Sequence, residues 1–305
     1  MRWVKQGVLV DAPIGVPWSA SHAAVPHVDV RSEDSLRIYF TTRDERGRSQ
    51  IARAEVHGAL SRENLRLEPA PVLSSGPPGL FDDSGVMTSC LVRHEAREHL
   101  YYQGWSLGVS VPYYVFGGCA VSTDGGATFE RVAPTPVLDR SPIDPYWTSS
   151  PWVLFDEGRW RMWYVAGLGW HFHDGRAEHY RVHIRYAESD DGIAWQRDGH
   201  VCIDFASADE YALARPVVIR DHDRYRMWYS FRGTSYRIGY AESRDGLAWE
   251  RLDTLAGIDV SPGGFDSEMI EYACTFDYRG RRHMLYNGNG FGTTGIGHAV
   301  LEESA

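Results

Sequence analysis

The chain has 305 residues, 43% of them hydrophobic and 13% aromatic, with a formal net charge of −10 at pH 7. That is a globular composition. The acidic balance, with no long Lys/Arg run, argues against nucleic acid or an anionic membrane as the main partner.

Two-residue alternation between turn signals dominates the chain, and helix-period apolar patterning is hard to find. In the first unit AAVPHVDV leads to LRIYFTTRD and then SQIARAEV. The second runs from GVMTSCLV through EHLYYQGW to FGGCAVSTDGGATFERV, and the third from SSPWVLFDEGRWRMWYVAG to IRYAESDDGIAWQRDG. The fourth is LARPVVIRDHDRYRMWYSFRG followed by IGYAESRDGLAWERLD, and the fifth EYACTFDYRGRRHMLYNGNG followed by GIGHAVLEE. A four-strand unit recurring at this length marks a repeat architecture. The fifth unit lacks a fourth strand of its own. Trp3-Val4-Lys5-Gln6-Gly7 resembles Trp195-Gln196-Arg197-Asp198-Gly199, read as the fourth strand of unit three. The N-terminal strand is therefore expected to complete the last unit and leave no open sheet edge. The expectation is an all-β, five-bladed β-propeller of four-stranded antiparallel blades, a single domain over residues 1–305.

No stretch approaches the roughly 18 apolar residues of a membrane span, and MRWVKQGVLVDAPIG lacks the apolar core of a signal peptide. Cys90, Cys119, Cys202 and Cys274 have no CxxC or metal-ligand spacing, so reduced, buried thiols are expected. A soluble cytoplasmic protein is the expectation.

If the first strand of each blade is innermost, the loop leading into it and the loop joining strands two and three share one face. The functional site is expected there. The lead-in loops GLFDDSGV, SPIDPYWTSS, ASADEYALAR and GGFDSEMIEY supply the acids Asp82, Asp83, Glu210, Glu268 and Glu271. Asp82, Asp144, Asp209 and Asp266 recur at one position of the repeat and read as turn caps, whereas Glu210 and Glu271 lie outside it. Cleaving a glycosidic bond needs two carboxyls, one protonated and one ionised. Glu271 is the expected acid/base, with Asp83 or Glu210 as the second carboxylate.

Other groups on the same face are expected to bind substrate. His22 and His27 flank the innermost strand of blade one, as donors, as a base, or around a central water or cation. His171, His173, His179 and His183 sit in or beside the long loop GLGWHFHDGRAEHYRVH, which with Asp174 is either a metal site or a solvated, substrate-contacting loop. Arg43 and Arg232 occupy equivalent loops, and Arg215 precedes Pro216 on an inner strand. Such cations suit an anionic ligand substituent or pair with the nearby acids. Trp105, Trp147 and Trp170 are sugar-stacking platforms or inter-blade core. STDGGATF at 122–129 fits the S-x-D-x-G-x-T-W/F turn of sialidase-like propellers, with shorter versions at 189–195 and 243–249, and reads as structural. NGNGFGTTG at 287–295 lacks a following helix, so it reads as a hairpin loop and not a phosphate-binding one.

Five such units with MWY strands and YAESxDGxxW turns resemble, over essentially the whole chain, the furanosidase-like five-bladed propellers. These comprise arabinanases, β-xylosidases, invertases, levansucrases and mannoside phosphorylases, and blades four and five look closest to a branch known only as glycosidase-like. The resemblance implies a carbohydrate-active enzyme with its site in the central funnel. Arabinanase-type members place an Asp before Pro on the first inner strand, where this chain has Val25; their second-blade Asp aligns near Cys90. Their acid Glu, two positions before the aligned Pro, corresponds to Ala214 in blade four and Ser149 in blade three, and only blade five keeps it, as Glu271. The leading expectation is a glycoside hydrolase-like enzyme acting on a sugar-containing small molecule, with no assigned cofactor beyond a possible divalent cation in the channel. A non-catalytic glycan-binding propeller and a metal-dependent enzyme using the histidines are the alternatives.

Overall fold

The computed structural model describes residues 1–302, Glu178 by its backbone alone. Its described residues form antiparallel four-stranded meanders. The first comprises Ser21–Ser32, Ser35–Arg43, Ser49–His57 and Leu65–Leu67. The second comprises Gly85–His94, Arg97–Leu107, Tyr113–Ser122 and Glu130–Arg131. Thr148–Asp156, Arg159–His173, Arg176–Ser189 and Val201–Ile203 make the third, and Ala212–Asp221, Arg224–Arg232, Tyr236–Ser243 and Glu250–Arg251 the fourth. The last runs Glu271–Tyr278, Arg281–Asn287 and Ile296–Leu301, with Trp3–Val10 paired outside Ile296–Leu301. First strands of consecutive meanders pack side by side, and Glu271–Tyr278 packs in turn against Ser21–Ser32.

The apolar repeats explain this packing. In each second strand the aromatic run is buried: Tyr39 and Phe40, Tyr101 and Tyr102, Trp163 and Tyr164, Trp228 and Tyr229. Each SxDG turn then reaches back to the preceding meander. Arg53 donates to Gly126 O, Tyr101 Oη to Gly192 O at 2.6 Å, and Trp163 Nε1 to Gly246 O at 2.8 Å. Phe129 meets Tyr39 edge to face, and Trp249 meets Trp163 likewise. In the turn itself Asp124 accepts from the Thr128 hydroxyl and amide, the Ser122 hydroxyl and the Ala127 amide, which together hold its carboxyl below the usual range. These turns are structural cement.

The lead-in aspartates are also structural, in a second repeated arrangement. Asp82 takes Arg131 at 2.7 Å and the Tyr102 hydroxyl at 3.2 Å. Asp144 takes Arg185, Arg197 and the Tyr164 hydroxyl, and Asp266 takes Lys5 and the Tyr286 hydroxyl. Each carboxylate is fully or almost fully buried and joins a second-strand tyrosine to a cation: Arg131 and Lys5 on outer strands, and for Asp144 Arg185 on the third strand and Arg197 next to the bridged Gln196. Lys5 plays for the last meander the part that Arg197 plays in the third, the equivalence that the N-terminal sequence suggested.

Three local expectations change. The long histidine loop is not a loop: Arg159–His173 and Arg176–Ser189 continue as a hairpin around Asp174 and Gly175, both at positive φ. The outer strand of the third meander lies at Val201–Ile203, with only an isolated bridge at Gln196. Residues 289–292 form a helical turn in which Gly290 and Phe291 have φ of 61° and 60°. Among the described residues no helix is long and apolar enough to cross a membrane. All four cysteines are free and buried.

Candidate functional site

Every first strand carries a β-bulge at its start, after Ala24, Thr88, Ser149, Ala214 and Glu271. In four of them a non-glycine residue takes up the left-handed conformation: Val25 (φ 51°), Ser150 (47°), Arg215 (53°) and Tyr272 (53°). For β-branched Val25 this conformation is costly, and such strain collects at functional sites because the surroundings must enforce it. The bulges re-aim side chains at the mouth of the inner strands. There a cavity of about 500 Å³ opens.

Its walls come from repeated positions. One residue beyond the second-strand aromatics stand Thr41, Gln103 and Val165, and two further on Arg43, Trp105 and Arg232, all lining the cavity. Trp147 from a lead-in loop packs against Trp170 and Tyr180, and Val25, Ser150 and Tyr272 of the bulges contribute directly. The surface is mainly aromatic and aliphatic with a few polar groups, the usual make-up of a small-molecule site. His22 lines it too, bonded through Nδ1 to Ser21 Oγ at 2.8 Å. Burial, helped by Arg43, pulls its imidazole down to about 4, so it is neutral at pH 7.

Glu271 lies just behind this surface, fully buried, next to Tyr272. Asn287 Nδ2 donates to its Oε1 at 3.2 Å, while the Asn287 Oδ1 accepts from Val25 N at 2.8 Å. Oε2 has no hydrogen-bond partner. Burial pushes the carboxyl up to about 8, against smaller opposing effects from Asn287 and Arg232. It is a neutral acid at pH 7, poised at the junction of the first and last meanders.

The remaining expected residues do not converge here. Asp83 is half-buried and closes its own turn, accepting from Gly79 N and Ser84 Oγ, both at 2.9 Å. Glu210 chelates Arg251 at 2.9 and 3.0 Å and accepts from Ala206 N. It therefore stands inside the structural repeat, taking the part of Asp82, Asp144 and Asp266, while Asp209 is exposed. Glu268 is exposed as well. His27 is a core residue: Nε2 accepts from Leu91 N at 3.1 Å, the ring lies against Trp152, and burial with Arg215 lowers it to about 3. Arg215 turns inward to the axis, donating to Thr88 O and Pro26 O, both at 2.8 Å, and burial pulls it down to about 10. His171 and His173 are exposed on the hairpin, the first stacked on His179 and the second beside Asp174. Among the described residues no three His, Cys, Asp or Glu side chains gather as a metal-binding group. The Thr88 and Pro26 carbonyls are already taken by the Arg215 guanidinium, so a resident cation does not fit beside them.

Sequence reasoning passed over Asn287, Tyr272, Tyr180, Tyr113 and Phe291. Asn287 had a signal: it follows the second-strand aromatic, the position of the cavity residues Thr41, Gln103 and Val165. The tyrosines gave none, since seventeen of them are spread through the chain.

No protein-family model matches the chain. Over 303 residues it is 46% identical to the uncharacterized protein Rv1502 of Mycobacterium tuberculosis strain H37Rv, covering 99% of this chain and 100% of the relative. It is equally similar to the uncharacterized protein MT1551 of strain CDC 1551. The fold superposes on a solved glycoside hydrolase with a TM-score of 0.76 at 18% identity, over 99% of this chain and 92% of that one. For a thermostable family-43 glycoside hydrolase the TM-score is 0.69 at 15% identity, over 97% and 93%. For the endo-arabinase of Bacteroides thetaiotaomicron it is 0.67 at 14%, over 95% and 97%. At these identities the likeness is one of fold.

Proposed function

The chain belongs to the family of these two uncharacterized mycobacterial proteins and has the fold of the propeller glycoside hydrolases; from that premise we propose a carbohydrate-active enzyme whose cavity takes a sugar ring. On this reading the five meanders are the blades of one five-bladed ring over the whole chain, closed by Trp3–Val10. The contact of Glu271–Tyr278 with Ser21–Ser32 and the Lys5–Asp266 ion pair support the closure.

The observation that carries the functional reading is Glu271. A carboxyl held neutral by burial, with one oxygen fixed by Asn287 and the other unpartnered, is built to give up a proton. Trp105 and Trp147 offer apolar faces for a sugar ring. The glycosidic oxygen would take the proton as its bond to the anomeric carbon breaks, a water would add to that carbon and release its proton to solvent, and Asn287 would hold the carboxylate left behind. Proton transfer needs that oxygen within roughly 2.6–3.2 Å of the carboxyl, so the substrate has to reach past Tyr272 into the floor.

One observation favours a second reading, a non-catalytic glycan-binding propeller. Among the described residues no carboxylate lines the cavity, and Asp83 and Glu210 are both spent on structure. One experiment separates the two. Glycosides and oligosaccharides are screened for binding and for turnover with the wild type and with Glu271→Gln. The enzyme reading expects turnover that falls roughly 10²–10⁴-fold in the variant while binding persists. Full turnover in Glu271→Gln removes the acid role, and binding with no turnover of any bound sugar leaves the binding module.

A further inference from the structure

The buried and half-buried arginines of this protein almost all face carboxylates. Arg131 meets Asp82, Arg185 and Arg197 meet Asp144, Arg251 meets Glu210, and Arg282 meets Asp221. Arg43 and Arg232 break the pattern. Both line the cavity, at the same position of the repeat, and among the described residues neither is ion-paired with a carboxylate; the acid that Arg232 faces, Glu271, is neutral at pH 7. They end the second strands of the first and fourth meanders, whose first strands flank the strand that carries Tyr272.

Arg232 is held by aromatics alone. Its guanidinium carbon lies 5.4 Å from the Tyr211 ring centre, 5.3 Å from Tyr236 and 5.7 Å from Phe291, and its Nε is buried without a hydrogen-bond partner. Arg43 is partly desolvated, and burial depresses its affinity for the proton. His22, beside Arg43 in the lining, is neutral, and so is Glu271 behind it. The described cavity lining thus carries two cations and no anion, in a chain whose net charge is −10. Two poorly hydrated guanidiniums in an apolar wall are stabilised most by an oxyanion that both can hydrogen-bond, and the planar fork suits a carboxylate or phosphate. Arg215 is no parallel case, because backbone carbonyls satisfy it.

We propose that Arg43 and Arg232 form an oxyanion subsite, and that the ligand is an acidic sugar, a uronate or a sugar phosphate. The inference rests on the sugar-pocket reading and names its substrate class. The anion would sit beside Tyr272, with the sugar ring between the aromatic walls.

The test is calorimetric titration of the wild-type protein with glucuronate, galacturonate and glucose 6-phosphate, against glucose and galactose, and against acetate and inorganic phosphate alone. At least one acidic sugar is expected to bind tenfold or more tighter than its neutral counterpart, with affinity falling as salt rises. Arg43→Met and Arg232→Met should each weaken that acidic sugar roughly tenfold to a hundredfold and leave any neutral sugar unchanged. Arg232→Lys, which keeps the charge and loses the fork, should fall between, and unchanged melting of each variant certifies its fold. Neutral sugars binding as well as acidic ones, or losing affinity equally in the Met variants, overturn the subsite and leave the sugar pocket standing. Inorganic phosphate binding through both arginines with no acidic sugar bound upholds the subsite and overturns the sugar reading. No response to any anion overturns the subsite outright.

Discussion

Replacing Glu271 by Gln tests the protonation state on which the proposed chemistry depends, without needing a substrate. The carboxyl is faced by Asn287 and Arg232, and by the phenols of Tyr180, Tyr236 and Tyr272, themselves pushed up by burial. Its folded value of about 8 lies above the ordinary 4.5. Between those values the folded protein keeps a proton that the unfolded chain has released. The group's contribution to stability is therefore complete below about 4.5 and is lost as pH rises towards 8. Buried histidines act in the opposite sense: His22 at about 4, His27 at about 3, and the lowered His99, His183, His283 and His298 lose stability as pH falls through the ordinary 6.5, and fall silent about a unit above it. Wild type and Glu271→Gln share these histidines, so the difference between the two proteins isolates Glu271 from pH 6.5 to 8. At about 1.4 kcal/mol per pH unit, the wild type should lose up to about 2 kcal/mol relative to Glu271→Gln across that window. Urea denaturation at constant ionic strength reads the loss directly. Glu271→Gln, which can still accept from Asn287, keeps only the histidines' rise with pH, so its profile should diverge upward from that of the wild type and make it the more stable protein at pH 8. Parallel profiles would mean that the carboxyl is already ionised, and the general-acid role would go with them.

Two further substitutions probe the frame that holds the cavity. Asp144→Ala strands Arg185, Arg197 and the Tyr164 hydroxyl around a fully buried position, and should cost about 3–5 kcal/mol in urea denaturation; a cost below about 1 kcal/mol would mean that the lead-in aspartates are not the structural anchors described. Trp3→Ala empties a nearly buried site and removes the Nε1 bond to Ala256 O at 3.0 Å. It should cost about 3–5 kcal/mol, with amide-exchange protection falling first along Ile296–Leu301, the strand that Trp3–Val10 covers.

How much of this was legible in the sequence depended on whether a residue repeated. The SxDG turns, the MWY strands and the likeness of Lys5 to Arg197 all recur, so their structural roles were readable by comparing one copy with the next. The same logic misjudged Glu210. It sits one place away from the repeated aspartate, which made it look exceptional, yet its longer side chain reaches the same arginine position from the shifted origin. His27 and Arg215 flank the same bulges as the cavity residues, and nothing in sequence says whether a bulged residue faces the mouth or the axis. For the histidines at 171 and 173 spacing was the misleading part: both rings are exposed on a hairpin, His179 across the strand stacks on His171, and among the described residues no three such side chains gather as a metal-binding group.

The bulged position itself is where fold and function meet. Geometry demands a left-handed residue before the first-strand proline or its substitute, and the chain fills that slot with Val25, Ser150, Arg215 and Tyr272. The backbone is equivalent each time and the side chain never is. Three of them line the cavity, and the fourth, Arg215, goes to the axis and ties the inner strands of the first two meanders through Pro26 O and Thr88 O. Neither Arg215 nor Val25 puts a carboxylate in that slot. The acidity that remains is concentrated in Glu271, one residue before the last bulge, where Asn287 ties it to the Val25 amide. The bulge at Tyr272 and the bulge at Val25 are therefore coupled through one asparagine, so the conformation of each fixes the position of the acid behind the pocket floor.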